Sequence, residues 1–225
     1  MVPVLVLLTF AVFILVDVAL KRKRERIAAA ETVILAAPAL DAAAPVHPAG
    51  FRLPGGVFVH GGHTWAFLEP SGEARVGIDE FARGVIGRID RVEMPAPGAA
   101  LRQGERAFTV VQGKKRIELV SPLDGVVAAV NPDPSALKGD AYQSGWLLAV
   151  TPGNLAHNLK KLRIAADAAA WIEKETRRFA EFIALHSARP LEVGVTMQDG
   201  GQAAAGALEK IDGELLQIMV RKFFR

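Results

Sequence analysis

A lysine between two strand-like runs is the residue of this chain best suited to covalent chemistry. It is Lys114, in the segment 110–125, "VVQGKKRIELVSPLDG". Gly113 can take the first central place of a two-residue turn, which favours a β-hairpin with Lys114 exposed at its tip. In a carrier domain such an amine holds a covalent swinging arm. The other interpretation is a solvated turn that carries no modification.

The other candidates for chemistry are weaker. His60 and His63 stand three apart in "HGGH", but no third ligand is near them in the sequence, and a zinc site needs at least three protein ligands. The chain has no cysteine, which excludes disulfides, thiolate metal sites and cysteine nucleophiles. No glycine-rich run has the Lys-Ser or Lys-Thr of a phosphate-binding loop. The sequence therefore predicts neither a metal site nor an enzyme.

An apolar run at the start of the sequence predicts a membrane anchor. Residues 2–20, "VPVLVLLTFAVFILVDVAL", match the hydrocarbon core of a bilayer in length, and the basic cluster "KRKRER" follows at residues 21–26. Such a cluster stays on the cytoplasmic side. We therefore expect a single-pass protein of the inner (cytoplasmic) membrane, with its N-terminus outside and its later residues in the cytoplasm.

The residues expected to set this topology are Asp17, Lys21, Arg22, Lys23 and Arg24. Asp17 lies four positions before Lys21, so the two side chains can pair on one helix face near the membrane surface. A carboxylate within an apolar span can also mark a functional site, and recognition of a partner is the alternative role.

The rest of the chain divides into three parts. Residues 27–50 are rich in alanine and proline and predict a tether. Residues 51–153 alternate short β-branched runs with turn signals, which predicts a small sandwich or flattened barrel with Trp65 and Trp146 in its core. Within it, 79–86 has helical spacing after an aspartate cap.

Residues 154–225 predict a C-terminal extension of helix, strand and helix. Apolar residues at helical spacing predict a helix over 154–188, "LEVGVTM" predicts a strand over 191–197, and a final helix is expected from "ALEK" to the end. The last residues, "VRKFFR", are basic and aromatic, a composition suited to contact with lipid headgroups.

Four stretches resemble the glycine cleavage system H-protein, the lipoyl-carrying member of the biotinyl/lipoyl domain group. They are "GGHTWAFLEPSGEARVGIDEFARGVIG", "VEMPAPGAALRQGE", "SPLDGVVAAVN" and "DAYQSGWLLAV", and together they span about residues 62–153. The resemblance implies a mainly β, flattened barrel-sandwich of the lipoyl/H-protein type. With an N-terminal transmembrane helix and a helical C-terminal extension, the whole chain is expected to be α+β.

The resemblance also identifies the position of Lys114. Counted back from Ser121, Lys114 matches the lysine to which that family attaches lipoate. Three features depart from the family: Gln112 replaces an acidic residue, the preceding strand is one residue short, and Lys115 and Arg116 add positive charge. These departures predict a hairpin that keeps its shape and carries no cofactor.

The predicted function is therefore that of a non-catalytic, membrane-anchored accessory or scaffold subunit. It would dock its H-protein-like domain onto a membrane protein complex of respiratory, photosynthetic or transport type, with the lipid bilayer as a second partner. The net charge of +3 and the lack of a basic aromatic face exclude nucleic acid. No small-molecule substrate is evident. The alternative is a lipoyl-carrying H-protein-type carrier of a glycine-cleavage-like system, modified on Lys114. A third possibility is a regulatory protein that mimics the natural substrate of a lipoyl-handling enzyme.

Overall fold

The computed structural model describes residues 46–133, 137, 139–186 and 205–225. The predicted anchor with its topology residues Asp17, Lys21, Arg22, Lys23 and Arg24, most of the predicted tether, and the predicted strand over 191–197 lie outside these residues. Within the described part of the chain, no helix combines the length and the apolar character needed to cross a membrane.

In the described residues, ten strands form two sheets, as the alternation of β-branched runs and turn residues predicts. The strands are β1 (Val57–Val59), β2 (Thr64–Leu68), β3 (Ala74–Ile78), β4 (Arg91–Glu93), β5 (Ala100–Leu101), β6 (Arg106–Gln112), β7 (Lys115–Val120), β8 (Gly125–Val130), β9 (Trp146–Pro152) and β10 (Arg163–Ile164). One sheet has the order β10-β1-β2-β3-β9-β8-β5, and the other has the order β4-β6-β7. All of these strand pairs are antiparallel. The prediction of a mainly β domain is confirmed.

The α-helices within the described ranges are α1 (Glu80–Ile86), α2 (Leu155–Leu159), α3 (Ala165–His186) and α4 (Gly213–Phe223), and short 3-10 helices cover Pro48–Gly50 and Ala207–Lys210. The prediction of α1 is confirmed: the Asp79 side chain accepts a hydrogen bond from the Ala82 backbone N–H at 2.7 Å and caps the helix.

The predicted helix over 154–188 is divided, so that part of the prediction is wrong. Ile164 and Arg163 pair with Phe58 and Val59 of β1, which places these residues in the larger sheet. Ala165 then has a φ of +51°, a left-handed conformation that turns the chain into α3. The segment after residue 153 therefore completes the sheet before it forms the long helix.

The prediction of a single final helix is also wrong. A 3-10 turn ends at Lys210, Ile211 is extended, and α4 begins only at Gly213, whose φ is +62°. A positive φ is incompatible with a continuous α-helix, so glycine marks the break.

The core confirms both tryptophan predictions. Trp65 is fully buried and Trp146 is 5 % exposed. The Trp65 ring lies across Gly77 on the neighbouring strand, where a Cβ would come within 2.7 Å of the indole. Its Nε1 donates to the Ile78 carbonyl oxygen at 3.1 Å. Large buried side chains from β6, from α1, from the turn before β9 and from the C-terminal helices complete this core: Phe81, Phe108, Tyr142, Phe179, Phe223 and Phe224.

Burial of the last two phenylalanines corrects the expectation for "VRKFFR". Phe223 is 1 % exposed and Phe224 is fully buried. Phe223 makes edge contacts with Phe179 and Phe182 at centroid distances of 5.3 and 5.6 Å. These aromatic rings pack against the domain, so they are not available to lipid headgroups.

Candidate functional site

The hairpin tip has the predicted two-residue turn. Gln112 of β6 pairs with Lys115 of β7, which leaves Gly113 and Lys114 as the turn. Gly113 has a φ of +58°, the conformation that glycine supplies at the first position of such a turn. Lys114 is exposed, and it has no hydrogen bond or ion pair with another residue of the described chain.

An aspartate fixes the orientation of this tip. The Gly113 backbone N–H donates to Asp90 Oδ2 at 2.6 Å, and Asp90 precedes β4. The other carboxylate oxygen, Oδ1, lies 3.1 Å from Arg88 Nε. A hydrogen bond from a backbone N–H to a carboxylate is stronger than one between neutral groups. The turn is therefore held against the rest of the domain while the Lys114 side chain remains in solvent.

Gln112 faces the interior of the domain. Its side chain is 5 % exposed, and its Nε2 donates to the carbonyl oxygens of Ile86 and Arg88 at 2.8 and 2.7 Å. These carbonyls belong to the last residue of α1 and to the connection after it. Gln112 thus joins the hairpin to α1, and its side chain is not at the surface.

Lys115 also points away from the tip. Its side chain is only 13 % exposed. Its Nζ donates to the carbonyl oxygens of Leu208 and Glu209 at 2.7 and 2.8 Å and lies 3.1 Å from Asp212 Oδ1. The two adjacent lysines therefore differ sharply: one amine is free in solvent and the other is enclosed by the C-terminal segment.

Arg116 is paired with an acid as well. Its Nη1 donates to Glu93 Oε1 at 2.9 Å across the exposed face of the smaller sheet, and Arg91 Nη2 donates to the same oxygen at 3.0 Å. These hydrogen bonds, that of Arg116 first, lower the pKa of Glu93. The positive charge that the sequence places beside Lys114 is therefore compensated, Lys115 by Asp212 and Arg116 by Glu93.

A groove lies next to the tip. It has a volume of about 920 Å³, and Asp90, which holds the turn, is in its wall. Its other walls come from α1 and the residues that follow it, from Asn131, Asp133 and Leu137, and from β9, and they include both charged and apolar side chains: Arg83, Arg88, Met94, Asp133 and Leu147. Because Asp90 belongs to both the groove and the turn contact, a long, flexible group attached at the tip would lie close to this groove.

The two histidines of "HGGH" have separate structural roles. His60 Nδ1 accepts from the Gly62 backbone N–H at 3.0 Å. His63 is fully buried, and its Nδ1 lies 2.8 Å from Asp79 Oδ2, the other oxygen of the α1 cap. Within the described ranges, no group of three or more histidine, aspartate or glutamate side chains could hold a metal ion.

Comparison with known proteins identifies the family. Glycine cleavage H-proteins match residues 58–175. The chain is 35 % identical over 117 residues to the glycine cleavage system H protein of Nitrosospira multiformis. That alignment covers 50 % of this chain and 89 % of the relative. The chain is also 35 % identical over 98 residues to the glycine cleavage system H protein of Hydrogenovibrio crunogenus, and this alignment covers 42 % of this chain and 76 % of the relative.

The chain belongs to the glycine cleavage H-protein family. A solved structure of the Mycobacterium marinum H protein aligns with 28 % identity and a TM-score of 0.46, over 53 % of this chain and 98 % of that one. The family match and the identity to the two relatives confirm the H-protein-like domain. H proteins are carriers and not themselves catalysts, so the prediction of a protein that is not an enzyme is confirmed as well.

The sequence predicts Lys114 at the tip, but it does not predict the partners of the neighbouring residues. The C-terminal segment, residues 205–225, lies outside the range matched by the family. Its contacts with the hairpin join residues about ninety positions apart. No local signal predicts such contacts. The sequence does contain a signal for the inward orientation of the Gln112 side chain, because shortening a strand by one residue reverses the faces of its side chains.

Proposed function

We propose that this H-protein family member is a lipoyl carrier modified on Lys114. One observation carries the proposal: Lys114 is exposed and unpaired, within the described chain, at the tip of a two-residue hairpin turn. Family membership supports the same reading, because the H-protein is the lipoyl-carrying member of its domain group. The finding favours the carrier alternative over the scaffold predicted first.

The residues around the tip fit a lipoyl group. An amine that is to become an amide must be accessible to the enzyme that acylates it, and Lys114 is accessible. Asp90 holds the turn through Gly113, so the attachment point has a fixed position. The extra cations are paired with Asp212 and Glu93, so they do not surround the amine with uncompensated charge. When attached, a lipoyl group supplies a dithiol that carries a chemical group between enzymes.

The mass of the intact protein tests the proposal. Protein expressed in its native cell should contain a fraction with the mass increment of one lipoyl amide, and peptide mapping should place it on Lys114. Lys114→Arg should abolish the increment, because a guanidinium keeps the charge but cannot form the amide. Lys115→Arg is the matched control and should keep it. An unmodified native protein, or an increment that survives Lys114→Arg, would refute the proposal.

A non-lipoylated scaffold is the second candidate, and Gln112 is the observation that favours it. The family has an acidic residue near the lysine, and here an amide replaces it and is buried. If the attaching enzyme needs that acid, Lys114 stays unmodified and the domain serves only for docking. The mass measurement therefore decides between the two candidates.

We also propose that residues 1–26 anchor the protein in the inner membrane with its domain in the cytoplasm. The apolar run before the basic cluster of residues 21–26 supports this orientation. A tether of this kind raises the effective concentration of the domain for a partner in the same membrane, such as a membrane protein complex.

Protease accessibility tests this topology. Protease added to intact cells should leave the domain uncut, and the same protease added after lysis should cut it. Digestion of the domain in intact cells would show that it lies outside the cytoplasm, and recovery of the protein in the soluble fraction would refute the anchor. Copurification from membranes in mild detergent would then identify the complex.

A further inference from the structure

The C-terminal segment encloses the amine of Lys115. Three acceptors surround its Nζ: the carbonyl oxygens of Leu208 and Glu209, and the Asp212 carboxylate. A lysine ammonium has three N–H donors and no acceptor, so these partners can occupy all of its hydrogen-bonding capacity. Lys114, one residue earlier, has no such partner among the described residues.

The segment is held in this place by contacts that do not involve Lys115. Glu209 Oε1 accepts from the Arg88 backbone N–H at 2.8 Å, and the Gly206 N–H donates to the Gly84 carbonyl oxygen at 2.8 Å. At the other end of the segment, Arg225 Nη2 donates to Glu118 Oε2 at 2.6 Å on the same strand as Lys115.

Apolar burial reinforces these contacts. The segment buries Leu208, Met219, Phe223 and Phe224 almost completely, and removing large apolar side chains from water stabilises the packed position. Its position over Lys115 is thus maintained by the packing of the segment itself.

We propose that the C-terminal segment selects the modification site by shielding Lys115, so that acylation at the hairpin is restricted to Lys114. In the acylation step the Nζ lone pair attacks the carbonyl carbon of an activated acyl donor. A C–N bond forms, the bond to the leaving group breaks with its electron pair, and the nitrogen gives a proton to solvent. Lys115 can enter this step only after leaving its three acceptors. This inference rests on the proposed function for its biological meaning, but the shielding is testable without any lipoyl group.

Chemical acylation of the full chain tests the shielding. A limiting amount of the N-hydroxysuccinimide ester of acetate transfers acetyl to free amines and releases N-hydroxysuccinimide, and peptide mapping gives the rate at each lysine. We expect Lys114 to react about tenfold faster than Lys115, because Lys115 must first break its charge-assisted hydrogen bonds. The variant Glu209→Ala/Asp212→Ala removes one anchor and one acceptor and should raise the Lys115 rate about tenfold without changing the Lys114 rate.

Glu214→Ala is the matched control, because Glu214 is an exposed acid of the same segment without a contact to Lys115. It should leave both rates unchanged. Deletion of residues 205–225 should expose Lys115 fully; should that deletion prevent folding, the double variant decides. Equal rates in the wild-type protein, or a double variant with an unchanged Lys115 rate, would overturn the inference. Retained selectivity in a protein that carries no native lipoyl group would refute only the proposed function.

Discussion

The side-chain amide of Gln112 donates a hydrogen bond to the carbonyl oxygen of Ile86 at 2.8 Å and so joins the end of β6 to the end of α1. The same nitrogen also donates to the Arg88 carbonyl at 2.7 Å. Because both acceptors are carbonyl oxygens, the position requires a donor. The amide of Gln112 is therefore a structural contact of the domain.

Restoring an acidic residue at this position should destabilise the protein. In Gln112→Glu a buried carboxylate would face two carbonyl oxygens without a donor, which we expect to lower the free energy of unfolding by about 2–4 kcal/mol. Urea denaturation followed by circular dichroism measures this change.

Gln217→Glu is the control for that prediction, since Gln217 is exposed on α4. Its effect should stay within about 0.5 kcal/mol. Equal stability of Gln112→Glu and Gln217→Glu would show that the amide is not needed at position 112.

His60 should make the stability depend on pH. Burial, and next the charge of Arg163, lower the pKa of His60 from 6.5 to about 4. Between these values the unfolded chain binds a proton that the folded protein does not, so the free energy of unfolding falls as the pH drops from 6.5 towards 4. Protonation would also end the acceptance of the Gly62 N–H by Nδ1.

The variant His60→Asn removes this titration and keeps an acceptor. Between about pH 7.5 and pH 5 the wild-type protein should lose about 1–2 kcal/mol more stability than His60→Asn, after allowance for the partial exposure of the ring. Denaturation at both pH values measures the difference. His157→Asn, the same substitution at an exposed histidine, is the matched control. Identical pH profiles for the wild-type protein and His60→Asn would contradict the prediction.

Trp146→Ala should cost about 3–5 kcal/mol, because it leaves a cavity in the larger sheet. The residue is 5 % exposed, and the Arg75 guanidinium lies over its ring at 5.7 Å. Trp171 is half-buried, with the Arg163 guanidinium 5.0 Å from its ring, and Trp171→Ala should cost less. Thermal unfolding compares the two variants, and an unchanged melting temperature for Trp146→Ala would require another assignment for β9.

Elements set by local patterns were predictable from the sequence. The Asp79 cap predicts α1, and Gly113 predicts the turn that exposes Lys114. Both depend on residues within a few positions of each other. The alternation of β-branched residues also predicts which runs become strands, because period-two alternation matches a half-buried sheet.

Elements set by distant contacts were not predictable. Arg163 and Ile164 have neighbours typical of a helix, but they join β1 more than a hundred positions earlier. Lys115 looks like one more solvated cation until its acceptors, the carbonyls of Leu208 and Glu209, are seen. Backbone carbonyls exist at every residue, so the sequence contains no mark of which ones a lysine will reach.

Among the strands of the described residues, those at the two edges of the larger sheet, β10 and β5, have only two residues each. The unpaired N–H and C=O groups of a long edge strand are a template on which another chain can add, and very short edge strands remove most of that template. Arg163 adds a charged side chain to one of these edges. The edges of the larger sheet therefore give a second chain little to pair with, even when the protein is concentrated.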